Sequence, residues 1–323
     1  MKRLLTACAA TAAIAVPLAM LPAAAHAEPT KNLAPNQIDR GPNPKIPYVD
    51  GSTVVDGTRK VKVNAAQVQL LGKAGTASYI VVAAGRDGGN ARLLRVRAGQ
   101  PAKVLARGDQ TYEAVLSGNG TRVALTTRES GARTTIKVIS TSTGTTQRTG
   151  TFQGSVNKLD FAGDRVLLSS WGPARTFVWN YKTNTRKTIN NKTGYEGSFK
   201  SNRLAFYTAD PFEDGCSVLT RITAPTTPIW RSCTDRVAAI SPDASRLATI
   251  DILSDGLGPR RVTMRTGAGR ALVTYKTSWF GAIEWETNRA LLLETHGQTW
   301  TATVRATATT VNRATKLTRT VQP

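Results

Sequence analysis

Short apolar runs, each introduced by a polar turn, alternate along this chain with segments in which apolar and polar residues take turns one by one. The runs are Val123-Ala124-Leu125, Val166-Leu167-Leu168, Leu204-Ala205-Phe206, Leu247-Ala248 and Ala290-Leu291-Leu292. Each follows a turn and an arginine: Asn119-Gly120-Thr121-Arg122, Gly163-Asp164-Arg165, Ser201-Asn202-Arg203, Asp243-Ala244-Ser245-Arg246 and Thr287-Asn288-Arg289. Runs this short, bounded by turn formers, predict strands covered on both faces rather than helices. Strict alternation, as in Thr135-Ile136-Lys137-Val138-Ile139 and Thr176-Phe177-Val178-Trp179-Asn180, predicts strands with one buried face.

From arginine to arginine the spacings are 43, 38, 43 and 43 residues, and a further step of 43 back from Arg122 lands on Tyr79 in Ser78-Tyr79-Ile80-Val81-Val82. A period near 40 built of short strands is that of an all-β β-propeller, whose four-stranded antiparallel blades bury their faces only against one another. Within each repeat the innermost strand, A, is expected at 67–71, 112–116, 156–161, 195–199, 236–240 and 281–285. Strand B is the apolar run, C the alternating segment, and D follows a polar turn such as Lys182-Thr183-Asn184-Thr185. Six A strands predict six blades. The hairpin at 52–63, turning at Asp56-Gly57, either packs on the last blade to close the ring or is half of a seventh blade completed around 309–318.

The ends of the chain set its compartment. Lys2 and Arg3 precede an apolar stretch from 4 to 21 and the small-residue site Ala25-His26-Ala27, the layout of a cleaved export signal over 1–27. Residues 28–45, with Pro29, Pro35, Pro42 and Pro44, read as an extended leader with no core of its own, and 46–323 as the propeller domain. No later stretch is long enough to span a membrane. The expectation is a secreted monomer at the cell exterior, in reach of the wall. Beyond the signal two cysteines remain. A hairpin centred on 223–226 sets Cys216 opposite Cys233, which predicts a cross-strand disulfide.

Charge and candidate chemistry narrow the function less than the fold. Forty-three Lys and Arg stand against 21 Asp and Glu, a formal net charge of +22. The excess is dense around Arg175, Lys182, Arg186, Lys187, Lys192 and Lys200, the candidate binding residues, and its field attracts polyanions. The expected partner is a protein or an anionic cell-envelope polymer, with nucleic acid less favoured. Strand A contributes Glu113, Asp160, Glu196 and Glu284, which as paired carboxylates across the channel would suit a lyase or glycoside hydrolase. A polar, solvent-filled channel needs no such role. His296 is the one histidine after the signal, and no metal-ligand cluster, Gly-x-Ser-x-Gly elbow or phosphate-cradling loop accompanies it. No metal or cofactor is expected. The acidic segment 210–215 and the stretch 252–260 are the long B-to-C loops, where a propeller meets partners.

One repeat names a family. Ser241-Pro242-Asp243-Ala244-Ser245-Arg246-Leu247-Ala248 resembles the WD40-like repeat of TolB-type propellers, and the other four copies keep its turn and apolar strand without the Ser-Pro-Asp. The stretches 254–259, 279–282 and 285–287 make the chain similar to uncharacterised secreted propeller proteins of high-GC Gram-positive bacteria. The resemblance covers about 46–318 and implies architecture, not activity, because the same scaffold serves binding proteins, peptidase accessory domains, lyases and glycosidases. The leader is too short to hold the α/β domain that precedes the propeller in TolB. A TolB-like translocation role is therefore not implied.

Overall fold

The computed structural model describes residues 28–130 and 132–320; the expected export signal lies outside them. Seven sheets follow one another around a ring, not six. In chain order, blade I is Tyr48–Asp50, Thr53–Asp56 and Arg59–Lys62, and blade II is Gln67–Lys73, Ser78–Ala84, Arg92–Arg97 and Lys103–Arg107. Blade III is Val115–Leu116, Arg122–Ser130, Arg133–Ser140 and Thr146–Gln153; blade IV is Ser155–Ala162, Arg165–Trp171, Arg175–Asn180 and Thr185–Asn190. Blade V is Gly194–Ser198, Arg203–Tyr207, Ser217–Thr220 and Trp230–Ser232. Blade VI is Asp235–Ile240, Arg246–Asp251, Arg261–Thr266 and Ala271–Lys276; blade VII is Trp279–Trp285, Leu291–His296, Trp300–Ala306 and Val311–Arg313, with Thr318–Arg319 also paired to its third strand.

The six-blade expectation fails at the hairpin. Tyr48–Asp50 pairs with Thr53–Asp56 and turns the hairpin into a three-stranded blade of its own, drawn wholly from the N-terminal side. The C-terminal strands expected to complete it stay on blade VII. A second correction concerns 112–116. Only Val115–Leu116 is strand; Asp109–Glu113 is a 3-10 helix, so Glu113 sits before the inner strand rather than on it.

The recurring turn has a physical basis visible in two copies. In Ser241-Pro242-Asp243 the serine Oγ donates to Asp243 Oδ1 at 2.9 Å and accepts from Arg246 N–H at 2.9 Å, while Ser245 N–H donates to the same carboxylate oxygen. Ser117 and Asn119 repeat the arrangement, with Arg122 N–H on Ser117 Oγ at 3.0 Å. Side chains thus take over the backbone groups that the turn leaves unpaired. The arginines that follow pair with nearby carbonyls: Arg122 with Thr121 O, Arg203 with Ser201 O and Arg246 with Ser245 O.

The core is divided among the blade interfaces. One apolar cluster lies at each seam from I/II to VI/VII; at III/IV, for example, Phe152 packs tilted on Phe177 and edge to face with Trp179, and Phe161 meets Tyr181 edge to face. Among the described residues the seam between VII and I carries no such cluster. The leader closes it instead. Thr30–Asn32 adds a parallel strand to the outer edge of blade VI, Leu33 is buried in the VI/VII core, and Arg40 bridges to Arg313 on blade VII. Arg305 then grips the chain on its way into blade I: its guanidinium holds Glu286 through Nε and Nη2 at 2.6 and 2.7 Å and donates to Pro42 O and Asn43 O at 3.1 and 2.9 Å. Lys45 N–H donates to Glu286 Oε1 at 2.6 Å.

The disulfide is present between Cys216 and Cys233, in the register expected: Ser217 faces Ser232, and Val218 faces Arg231.

Removing one partner of the Glu286–Arg305 pair strands a buried charge and frees the leader. Arg305→Ala should therefore cost about 3–5 kcal/mol in urea unfolding, and the double change Glu286→Gln, Arg305→Met clearly less. Desolvation alone would raise the Glu286 carboxyl, but hydrogen bonds from Arg305 and Lys45, with the Arg305 charge, hold it below its ordinary value. The stabilisation is thus present above the unfolded carboxylate pKa and is lost as pH falls through the lowered folded one. Urea midpoints of wild type and the double variant should converge on acidification.

Candidate functional site

In each four-stranded blade the start of strand A, the end of strand B and the start of strand C share one end, so the D-to-A and B-to-C connections of these blades gather on one face of the disc. Six large apolar side chains are exposed among the described residues. Five of them, Tyr112, Trp171, Phe212, Leu253 and Leu257, belong to this face; the sixth, Val104, is on an outer strand. Exposed apolar side chains gathered on one side are the mark of an interaction surface. Two clefts open there. One, of about 360 Å³, is formed by the blade VI loop with Asp251, Leu253, Asp255 and Arg260. The other, of about 390 Å³, lies where blades III, IV and V meet and is walled by Tyr112, Trp171 and Tyr195 with Glu113, Asn157 and Lys158.

The four carboxylates expected to line the channel have different fates. Asp160 is committed to the backbone: its oxygens accept from Phe161 N–H at 2.7 Å and from Phe199 N–H on the next blade at 2.6 Å. Glu113 sits 3.4 Å from Lys158 Nζ, whose side chain is almost wholly buried and also donates to Thr126. Glu196 is pushed up to about 8, chiefly by desolvation and secondarily by the Asp160 charge; the Gly197 N–H and Arg236 only partly oppose this. At neutral pH it is largely a protonated acid. Glu284 is exposed, yet the surrounding protein desolvates it enough to raise its pKa as well.

Neighbouring groups complete the inner wall. The Tyr195 hydroxyl, whose pKa burial raises, bonds Ser217 Oγ and accepts from Val237 N–H at 3.0 Å, while its ring stacks on Tyr207 at 4.2 Å. It thereby ties blade V to blade VI.

His296 lies at the end of strand B of blade VII, buried, rather than in the turn beyond it. Its Nε2 is 3.1 Å from Glu294 Oε1 and its Nδ1 3.0 Å from Thr301 Oγ1, a hydroxyl, imidazole and carboxylate in line. Trp279 lies flat on the imidazole and Thr320 shares the Thr301 hydroxyl, so the group ties the C-terminal segment to the blade. The hydrogen bond with His296 holds Glu294 below its ordinary pKa against desolvation.

The six candidate basic residues spread over the height of blade IV and its junction with V. Arg175 and Lys192 are on the B-to-C face, Lys182 and Lys200 on the opposite one, and Arg186 and Lys187 on the outer strand. Several have partners: Lys182 pairs with Asp164 at 3.1 Å, Lys192 donates to Thr208 O, and Arg186 covers the Phe152 ring. The sequence reading passed over Trp171 and Tyr112. The signal for Trp171 was present, an aromatic three residues after the apolar run 166–168 and just ahead of Gly172-Pro173.

Because the folded pKa of Glu196 stands above the unfolded one, the native state keeps a proton that the unfolded chain gives up, and stability falls as pH rises from about 4.5 to about 8. Glu196→Gln should abolish this slope. In thermal melts the variant should match wild type near pH 5 and exceed it by roughly several degrees near pH 9.

No known sequence family and no curated protein matches the chain. Among solved structures, the β-propeller domain of the Trilobed protease from Pyrococcus furiosus, described as having an open velcro topology, aligns with a TM-score of 0.58 at 6% identity over 82% of this chain and 86% of that one. The WD40 domain of coronin from Toxoplasma gondii aligns with a TM-score of 0.51 at 12% identity over 88% and 79%. TolB from Acinetobacter baumannii is similar with a TM-score of 0.48 at 14% identity over 77% and 63%. Identities this low speak to fold alone, and in fold this chain is a seven-bladed β-propeller.

Proposed function

We propose that this protein is a secreted, non-catalytic binding module that holds an anionic polymer of the cell surface on its B-to-C face. One observation carries the reading: five of the six large apolar side chains exposed among the described residues gather on that face. The net charge of +22 supplies the long-range attraction, and Arg175 and Lys192 place part of it beside Trp171. The enzyme reading, a lyase or glycoside hydrolase using channel carboxylates, is weakened by the commitments of Asp160 and Glu113 to structural partners. Glu196 and Glu284 remain, on blades V and VII. A protein partner is the second reading. The exposed Phe212, Leu253 and Leu257 at neighbouring loop tips favour it.

Capture of the purified protein on isolated cell envelope, against an uncharged polymer control, tests the reading. Capture should fall on the order of tenfold or more between about 50 and about 200 mM salt. Arg175→Glu with Lys192→Glu should weaken capture at low salt and flatten the salt dependence, whereas Glu196→Gln and Glu284→Gln should leave it unchanged. Absence of capture at low salt, or capture indifferent to salt, overturns the polyanion reading.

A further inference from the structure

We propose that the cleft between blades III, IV and V is a saccharide subsite that takes a hexopyranose unit of a surface glycan; this rests on the binding reading above and names the unit recognised. The rim is aromatic and held in place. Tyr112 is 37% and Trp171 41% exposed, and the Tyr112 hydroxyl donates to Gly88 O at 2.8 Å, which fixes its ring. Trp171 is the last residue of its strand and is paired in register with Ser155. Between them the cleft is polar: the Glu113 carboxylate and the Asn157 amide are exposed there, and Lys158 Nζ, buried beneath, lies 3.4 Å from Glu113.

A pyranose ring carries the complementary pattern. One of its faces is a patch of C–H bonds that lies flat on an aromatic ring, and its edge is a row of hydroxyls that both donate and accept. Neighbouring hydroxyls of one sugar can donate to the Glu113 carboxylate and bond the Asn157 amide. A purely apolar side chain in the same place would strip water from that pair and give nothing back. The volume, about 390 Å³, falls within the range of small-molecule sites. Sugar hydroxyls are uncharged, so recognition of the sugar itself is insensitive to salt. Arg175 and Lys192, beside the cleft, meet the anionic links of the polymer instead.

The test uses the whole protein and neutral probes: cellohexaose, maltohexaose and chitohexaose at millimolar concentration, followed by calorimetry and tryptophan fluorescence, alongside envelope capture. At least one hexasaccharide should bind, with an affinity that changes less than twofold as salt is raised. Trp171→Ala should weaken it at least tenfold and Tyr112→Ala severalfold. Trp300→Ala, outside the cleft, should leave it unchanged, which separates loss of the site from loss of the fold. The proposal is overturned if none of the three binds, or if Trp171→Ala and Tyr112→Ala bind as wild type does. If those failures come with intact, salt-sensitive envelope capture, the binding function stands without this subsite; if wild-type capture is itself absent, the broader reading falls first.

Discussion

The ring depends on one buried ion pair. Six seams between blades are closed by apolar side chains from both sides, but blade I has only three strands, all taken from the N-terminal side, and meets blade VII without a shared apolar cluster among the described residues. Arg305 and Glu286 stand at that gap. Their side chains are 10% and 1% exposed, and a bidentate contact between two such groups offsets the cost of burying them only when the remaining donors are also used. The leader supplies those uses, through Pro42 O, Asn43 O and Lys45 N–H. A propeller that exchanged strands between its ends would hold the seam by backbone pairing. Here the leader passes over blades VI and VII, adds a strand to one and a bridge to the other, and then turns inward to begin blade I.

The same packing logic gives the disc two unlike faces. The A-to-B turns are short, and in two of them a serine and an Asp or Asn cap the backbone of the turn. The B-to-C connections vary in length, and the long ones, at 208–216 and 252–260, carry Phe212, Leu253 and Leu257 into solvent. A uniform face suits a structural role; a varied, partly apolar face on a rigid scaffold suits recognition. The inner wall is varied as well. Acidic residues on adjacent inner strands end up as a backbone acceptor at Asp160 and a largely protonated acid at Glu196, because desolvation and neighbours differ over one blade step.

The sequence by itself determined what repeats. The apolar runs, the recurring turn and the period near 40 residues determined the propeller and its inner strands apart from the one expected at 112–116, since each copy solves the same local problem of burying a strand between neighbours. It also determined the disulfide, because hairpin register is arithmetic once the turn is placed. Only the tertiary structure decided what is contributed once. The seventh blade hinges on Tyr48–Asp50, too short to show alternation, and the closure on Arg305 and Glu286 reaching residues more than 200 positions away. The candidate site was illegible for the same reason. Tyr112, Trp171 and Lys158 come from a 3-10 helix, the end of one strand and the middle of another, and no spacing along the chain records that blades III and IV bring them to one cleft.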